Sequence, residues 1–175
     1  MSMLILETPR LRLRTLETDD AAFYLGLINQ PSWLRFIPDK GIRTLQAARA
    51  AIAEGPMLMQ QRLGHSIYLV ERKADGLPMG LCGLIKRDSL PEADIGYGFL
   101  PAHCGQGYAG EAAAAVLAYA RDTLRLPCLL GITDPDNHIS GRMLVKLGLR
   151  LVESGLNADG RPTDFYRIDF AAGVA

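Results

Sequence analysis

The spacing of hydrophobic and polar positions changes along the chain, and each change predicts a different element. In the stretch "LRLRTL" (11–16), leucines alternate with arginines, which is the period-two pattern of a half-buried strand. The stretch "AAFYLGLINQ" that follows predicts a helix ended by Pro31, and helical spacing returns over roughly 44–62. Gly55 and Pro56 predict a break or kink in that second helix.

The middle of the chain carries three short apolar runs, "HSIYLVER", "MGLCGLI" and "ADIGYGFL", joined by short turn sequences. Because no helical pattern separates them, they predict an antiparallel meander. A glycine-rich loop, a helix over about 109–124, a strand "CLLGIT", a helix over about 138–147 and strands near 149–154 and 164–170 follow. Without repeats or linkers, this order predicts one α/β domain over residues 1–175.

Composition limits the classes of partner. The 175 residues include nineteen basic and nineteen acidic side chains, so no general attraction to nucleic acid is expected. Three cysteines without C-x-x-C spacing argue against a disulfide framework or a metal site. No stretch resembles a signal peptide or a membrane span. We therefore expect a cytoplasmic protein, monomeric or homodimeric, with no nucleic-acid or membrane partner and no metal.

The stretch "CGQGYAGEAAAA" (104–115) is the strongest candidate for a ligand site. Gly105, Gly107 and Gly110 spell G-x-G-x-x-G, the fingerprint of a dinucleotide-binding loop. In dinucleotide folds that loop follows the first strand of a βαβ series, whereas here it follows a meander. Small residues before a helix let backbone N–H groups converge at the positive end of the helix dipole. The topology therefore favours a different phosphate ligand.

Three motifs in this order resemble a known family. "ADIGYGFLPAHCGQGYAGEA" with "DPDNHISGRMLVKLGL" resembles the acetyl-CoA core of the GNAT N-acetyltransferase superfamily, and "LETPRLRLRTLETDDA" resembles its ribosomal-protein N-terminal acetyltransferase branch. The resemblance implies an α/β (α+β) fold with a mostly antiparallel mixed sheet of about six to seven strands. That sheet is splayed between its fourth and fifth strands and flanked by about four helices.

The same resemblance implies an enzyme that transfers an acetyl group from acetyl-CoA to a primary amine by direct attack. The acceptor stays open between a protein N-terminus, another peptide amine and a small-molecule amine. Trp33 and Phe36 form either a wall of the acceptor pocket or plain core. A non-catalytic acyl-CoA-binding module is the alternative function, since Cys104 departs from the family's phosphate-loop motif, Gln/Arg-x-x-Gly-x-Gly/Ala.

Contacts to acetyl-CoA follow from the resemblance. The family's phosphate-loop motif falls on residues 104–109. Because Cys104 does not match the first position of that motif, we expect the affinity for acetyl-CoA to depend more on backbone amides. The pantetheine arm is expected in the gap of the splayed sheet, bonding to strand backbone as an added strand would. The expected cofactor contacts are Phe99, Leu100, Gly105, Gln106, Gly107, Tyr108, Ala109, Gly110, Asn137 and Arg142.

Asp94, Ser140 and Asn137 are the candidates for catalysis, and Glu92 is the alternative to Asp94. Asp94 alternates onto the strand face of two glycines, where water has room, and is the first candidate for the base; Glu92 is the second. By resemblance, Ser140 matches a hydroxyl near the thioester sulfur and Asn137 a residue that contacts the pantetheine or acceptor region, although Asn137 also stands where a helix N-cap belongs. Many relatives carry a tyrosine acid at Leu144, so the proton donor here is Ser140 or water.

Overall fold

The computed structural model describes residues 1–171. Its centre is one mixed sheet of eight strands in the order β1-β2-β3-β4-β5-β6-β8-β7. The strands are β1 Leu4–Glu7, β2 Leu11–Thr15, β3 Ile67–Arg72, β4 Pro78–Ile85, β5 Asp94–Phe99, β6 Cys128–Thr133, β7 Arg150–Leu156 and β8 Pro162–Asp169. All neighbouring strands are antiparallel except β5 and β6. The predicted fold class is confirmed, but the count of six to seven strands is one too low.

The additional strand is β1, which pairs with β2 as an N-terminal hairpin. Strand β1 has only four residues, "LILE", three of them apolar, so its sequence shows no alternation of apolar and polar positions. The strand is recognised only by its pairing with β2. Because β1 takes the first number, the predicted splay between the fourth and fifth strands lies here between β5 and β6.

Helices cover both faces of the sheet and are more numerous than the four expected. They are α1 Ala21–Ile28, α2 Pro31–Leu34, α3 Leu45–Ile52, α4 Leu58–Leu63, α5 Tyr108–Asp122 and α6 His138–Lys146. A π-helical segment, Ala53–Met57, joins α3 to α4 and contains Pro56. The predicted break is therefore a widened turn, since a π-helical turn tolerates the missing proline N–H. Within residues 1–171, none of these helices has the length and apolar character to cross a membrane.

Two apolar clusters pack on opposite faces of the sheet. Tyr68 and Val70 of β3 join the cluster under α5, while Leu69 between them joins the cluster under α1 and α3, because side chains of a strand alternate between faces. Helix α5 approaches the sheet closely, since Ala112 and Ala113 are fully buried against it. This packing fixes the start of α5 at the end of β5.

The sheet opens between β5 and β6. Their parallel pairing is confined to Asp94 opposite Leu130, where the Leu130 N–H donates to the Ala93 carbonyl at 2.9 Å. Beyond that pair the two strands diverge, and the backbone edge of β5 faces a gap instead of a neighbour.

Candidate active site

A cavity of about 610 Å³ opens at this gap. It extends from α1, α2 and α4 on one side to β6, the start of α6 and the turn between β7 and β8 on the other. The fold brings all three catalytic candidates, Asp94, Asn137 and Ser140, to the wall of this one cavity. Tyr97, which the sequence did not single out, lines it as well.

Asp94 is a buried acid with one ionic partner. Its residue is 1% exposed, and Arg87 Nε donates to its Oδ1 at 3.0 Å. Burial raises the pKa of Asp94 to about 6, although Arg87 opposes the shift. The carboxylate is therefore ionised at neutral pH and close enough to its pKa to exchange a proton. Glu92, the second candidate, is not one of the described residues that line the cavity.

Asp94 and Gly98 lie on the same face of β5, and the Trp33 ring covers that face at Gly98. A Cβ added at Gly98 would lie 2.4 Å from Cζ3 of Trp33, so the indole packs directly on the glycine. The space expected for water near Gly98 is thus filled by Trp33. Trp33 packs on the apolar cluster and also lines the cavity, and its role in an acceptor pocket stays a prediction.

A hydroxyl pair bridges the gap between β5 and α6. The Tyr97 hydroxyl lies 3.0 Å from Ser140 Oγ and donates to the Ser140 carbonyl at 3.2 Å. Burial raises the pKa of Tyr97 to about 12, so this hydroxyl stays protonated at neutral pH. Asn137 caps α6, because its Oδ1 accepts the Ser140 N–H at 3.3 Å. That cap orients Ser140 within the first turn of the helix.

Leu144 packs in the core of the protein. It is 1% exposed, and its Cδ2 lies 2.7 Å from the position of a Cβ at Gly131. The position at which the family resemblance leads one to expect a tyrosine is therefore part of the core here, and the phenol that lines the cavity is that of Tyr97 on β5. In contrast, Ile139 in the first turn of α6 is 70% exposed.

The phosphate loop presents a row of free donors. Within residues 1–171, the backbone N–H groups of residues 105–110 donate to no acceptor. Gly105 and Gly107 have φ of +76° and +82°, a left-handed conformation that glycine adopts without strain. These amides surround the N-terminus of α5, which is 15 residues long, and the helix dipole adds positive potential there. The loop has the donors that a pyrophosphate requires.

Side chains within the loop contribute less to ligand binding. The Gln106 side-chain amide donates to the Ala102 carbonyl at 3.1 Å, so this side chain is already engaged with the protein's own backbone. Cys104 Sγ lies 3.5 Å from the Leu100 carbonyl, directed toward the preceding turn. The side chain at the departing position of the motif is thus engaged with the protein's own backbone.

Arg10, from the turn between β1 and β2, braces the loop from outside. Its Nη1 donates to the Gln106 carbonyl at 3.0 Å, and its guanidinium lies 4.3 Å above the Tyr108 ring. Its Nε donates at 2.7 Å to Glu111, a carboxylate that also accepts from Thr8 at 2.6 Å. Desolvation acts to raise the pKa of Glu111, but the hydrogen bonds from Thr8 and Arg10 outweigh it, so the pKa is lowered. The N-terminal hairpin therefore holds the loop and the first turn of α5 together.

The backbone of β5 faces the gap at alternate residues. The Leu100 N–H donates to the Met79 carbonyl at 2.9 Å, so it belongs to the side of the strand that faces β4. Since backbone groups alternate along a strand, Tyr97 and Phe99 direct theirs toward the gap. Phe99 keeps the position predicted for a pantetheine contact, whereas the Leu100 N–H is already used.

Arg142 lies apart from the catalytic candidates. It is exposed and lines a second cavity of about 580 Å³ on another flank of α6, together with His138 and Lys146. The two cavities share Thr133, Asp134 and Asn137. Its contact with CoA phosphates stays a prediction.

Comparisons with known proteins identify the family of this chain. The model of the family described as an acetyltransferase (GNAT) domain matches residues 10–150. The chain is 31% identical over 147 residues to the protein YkkB of Bacillus subtilis, covering 82% of this chain and 84% of YkkB.

Solved structures share the fold over nearly the whole chain. An acetyltransferase from Agrobacterium tumefaciens superposes with a TM-score of 0.79 at 26% identity, covering 96% of this chain and 95% of that one. RimL, a ribosomal L7/L12 alpha-N-protein acetyltransferase in complex with coenzyme A, superposes with a TM-score of 0.81 at 18% identity. That comparison covers 96% of this chain and 98% of RimL.

Proposed function

Because the chain belongs to the GNAT acetyltransferase family, we propose that it transfers the acetyl group of acetyl-CoA to a primary amine in the cavity between β5 and β6. Family membership confirms the predicted acetyl-CoA-dependent acyltransferase and argues against the dinucleotide-binding alternative. One observation carries the proposal. A buried carboxylate and a paired hydroxyl line a single cavity, which opens at a gap in the sheet next to a loop of free amides.

The chain's own groups fit acetyl-CoA at two places. The free N–H groups of residues 105–110 fit a pyrophosphate, because each can donate to a phosphate oxygen without competing for an intramolecular acceptor. The backbone of Tyr97 and Phe99 fits an extended pantetheine arm, which would take the place of a neighbouring strand in the gap. Arg10 holds the loop in this conformation from the side of the hairpin.

The chemistry requires one proton to leave the amine and one to reach the departing sulfur. Bound acetyl-CoA supplies an acetyl thioester, whose C–S bond breaks as the amine nitrogen forms the new C–N bond. Asp94 accepts the amine proton, directly or through a water molecule, since its carboxylate is ionised above about pH 6. The hydrogen-bonded hydroxyls of Tyr97 and Ser140 donate the proton that neutralises the thiolate.

Thiol release from acetyl-CoA in the presence of a panel of primary amines tests this function. We expect Asp94→Asn to lower kcat by about 10²- to 10³-fold, the usual contribution of a general base. Calorimetry should show unchanged acetyl-CoA affinity for that variant. Glu92→Gln is the matched control, because it removes a nearby carboxylate that does not line the cavity, and it should change kcat by less than about twofold.

Three outcomes would contradict the proposal. Wild-type turnover by Asp94→Asn would exclude this residue as the base. Tight binding of acetyl-CoA without turnover of any amine would favour the non-catalytic acyl-CoA-binding module. Failure to bind acetyl-CoA would show that the loop with Cys104 no longer holds the cofactor.

A further inference from the structure

The part of the cavity away from the hydroxyl pair has an apolar wall. Side chains from α1, α2, the segment after α2 and α4 form this wall: Tyr24, Ile28, Trp33, Phe36, Ile37 and Met59. Trp33 is fixed in place, because its ring packs directly on Gly98 of β5. A polar chain laid against this wall would leave its N–H and C=O groups without partners, which is costly. The wall fits an apolar group instead.

Charges around the cavity balance. Its lining includes four acidic residues and four basic residues: Asp39, Asp94, Asp134, Asp159, Lys40, Arg43, Arg87 and Arg161. Two of the acids are already neutralised, since Arg43 pairs with Asp39 and Arg87 with Asp94. A polycation needs an excess of negative charge in its site, and this cavity does not provide one.

We propose that the acceptor is a compact monoamine, in which a single primary amine is attached to an apolar body about the size of an aromatic ring. This inference rests on the proposed function. The cavity volume of about 610 Å³ lies within the range of small-molecule sites. The apolar body packs against Trp33 and Phe36 while the amine reaches toward Asp94. Polyamines, aminoglycoside-like polycations and polypeptide N-termini fit this wall poorly.

Fluorescence tests the inference without requiring turnover. Trp33 is the only tryptophan in the sequence, so its emission reports directly on the apolar wall. Phenethylamine should shift or quench this emission in a saturable way, whereas spermidine and an alanine-led tetrapeptide should not at the same concentration. In the acetyl-transfer assay, we expect kcat/KM for phenethylamine to exceed those of spermidine, the tetrapeptide and methylamine by at least about tenfold.

Two phenylalanine variants separate specificity from folding. Phe36→Ala should raise KM for phenethylamine about tenfold and lower the ratio of kcat/KM for phenethylamine to that for methylamine. Phe23→Ala is the control, because Phe23 packs against the apolar cluster that also includes Trp33, without lining the cavity. It should leave the selectivity between the two amines as in the wild type.

The outcomes distinguish this inference from the proposed function. Preferred turnover of spermidine or of the tetrapeptide would overturn the monoamine class while leaving acetyl transfer intact. Equal losses for phenethylamine and methylamine in Phe36→Ala would overturn the role of the wall. Saturable phenethylamine binding at Trp33 without turnover of any amine would overturn the proposed function and retain the site for a compact monoamine.

Discussion

The buried position of Asp94 sets the pH dependence of the proposed reaction. Because burial raises its pKa to about 6, kcat/KM should rise with pH through that value, as the carboxyl becomes ionised and able to accept a proton. The measurement is kcat/KM over roughly pH 5 to 8. In Asp94→Asn, the rise of kcat/KM near pH 6 should disappear. A rise at higher pH that comes from deprotonation of the acceptor amine should remain. Identical profiles for the two proteins would contradict the assignment.

The Tyr97 and Ser140 hydroxyls should act as one proton-donating unit. Removing either by Tyr97→Phe or Ser140→Ala should lower kcat about tenfold, and the double variant should lose little more, because coupled residues are not additive. Acetyl-CoA affinity should stay unchanged, and the free energy of unfolding should fall by about 1 kcal/mol for one lost hydrogen bond. Multiplicative losses in the double variant would show that the hydroxyls act independently.

Local patterns reveal some of these residues and not others. Strand alternation indicates Asp94, and the resemblance of the segment around the start of α6 to the family's motif indicates Asn137 and Ser140, because each of these signals lies within a few residues. The partner of Ser140 is Tyr97, 43 positions away, and Arg10 meets Glu111 across 101 positions. Pairings at that separation depend on the sheet order, so spacing along the chain does not reveal them.

At the scale of elements, the β1–β2 hairpin should control affinity for the phosphate end of acetyl-CoA. Arg10→Met removes the donor to the Gln106 carbonyl and the partner of Glu111, and it should raise KM for acetyl-CoA about tenfold, roughly 1.4 kcal/mol. With S-acetyl-N-acetylcysteamine, a donor without a pyrophosphate, kcat/KM should not change. That difference identifies Arg10 as a positioning residue for the loop.

Arg12→Met provides the control for this hairpin effect. Arg12 belongs to the same hairpin, and its Nε donates to Glu7 at 2.8 Å. In the part of the chain that the structure describes, Arg12 makes no hydrogen bond to the phosphate loop. The Arg10 and Arg12 side chains are both about half exposed, so both variants should fold. Equal losses with the two acetyl donors in Arg10→Met would indicate a general disturbance of the fold.

The periodic elements are those that the sequence predicts best. The observed α5, Tyr108–Asp122, and α6, His138–Lys146, differ from the predicted 109–124 and 138–147 by no more than two residues at each end. Helix α2 is a single turn, and β1 has four residues, so neither is long enough to show a period. These short elements form through contacts with their neighbours.

At the scale of the molecule, the open gap depends on packing across both halves of the sheet. Strands β1–β5 and β6–β8 are joined by one backbone pair, Asp94 with Leu130. A single apolar cluster nevertheless includes Val70 on one half and Leu129 and Tyr166 on the other. Side-chain packing therefore holds the two halves together while their backbone edges stay apart, and no local sequence pattern predicts that separation.

Acetyl-CoA should consequently stabilise the whole molecule, because it would contact both the loop and the edges of the gap. A ligand at about one hundred times its Kd adds about 2.7 kcal/mol to the free energy of unfolding, which raises Tm by roughly 5 to 10 °C in a chain of this size. Thermal unfolding with acetyl-CoA measures this shift, and NADH at the same concentration should produce none. Equal stabilisation by NADH would mean that the loop recognises a dinucleotide pyrophosphate, since binding to the gap requires the pantetheine arm.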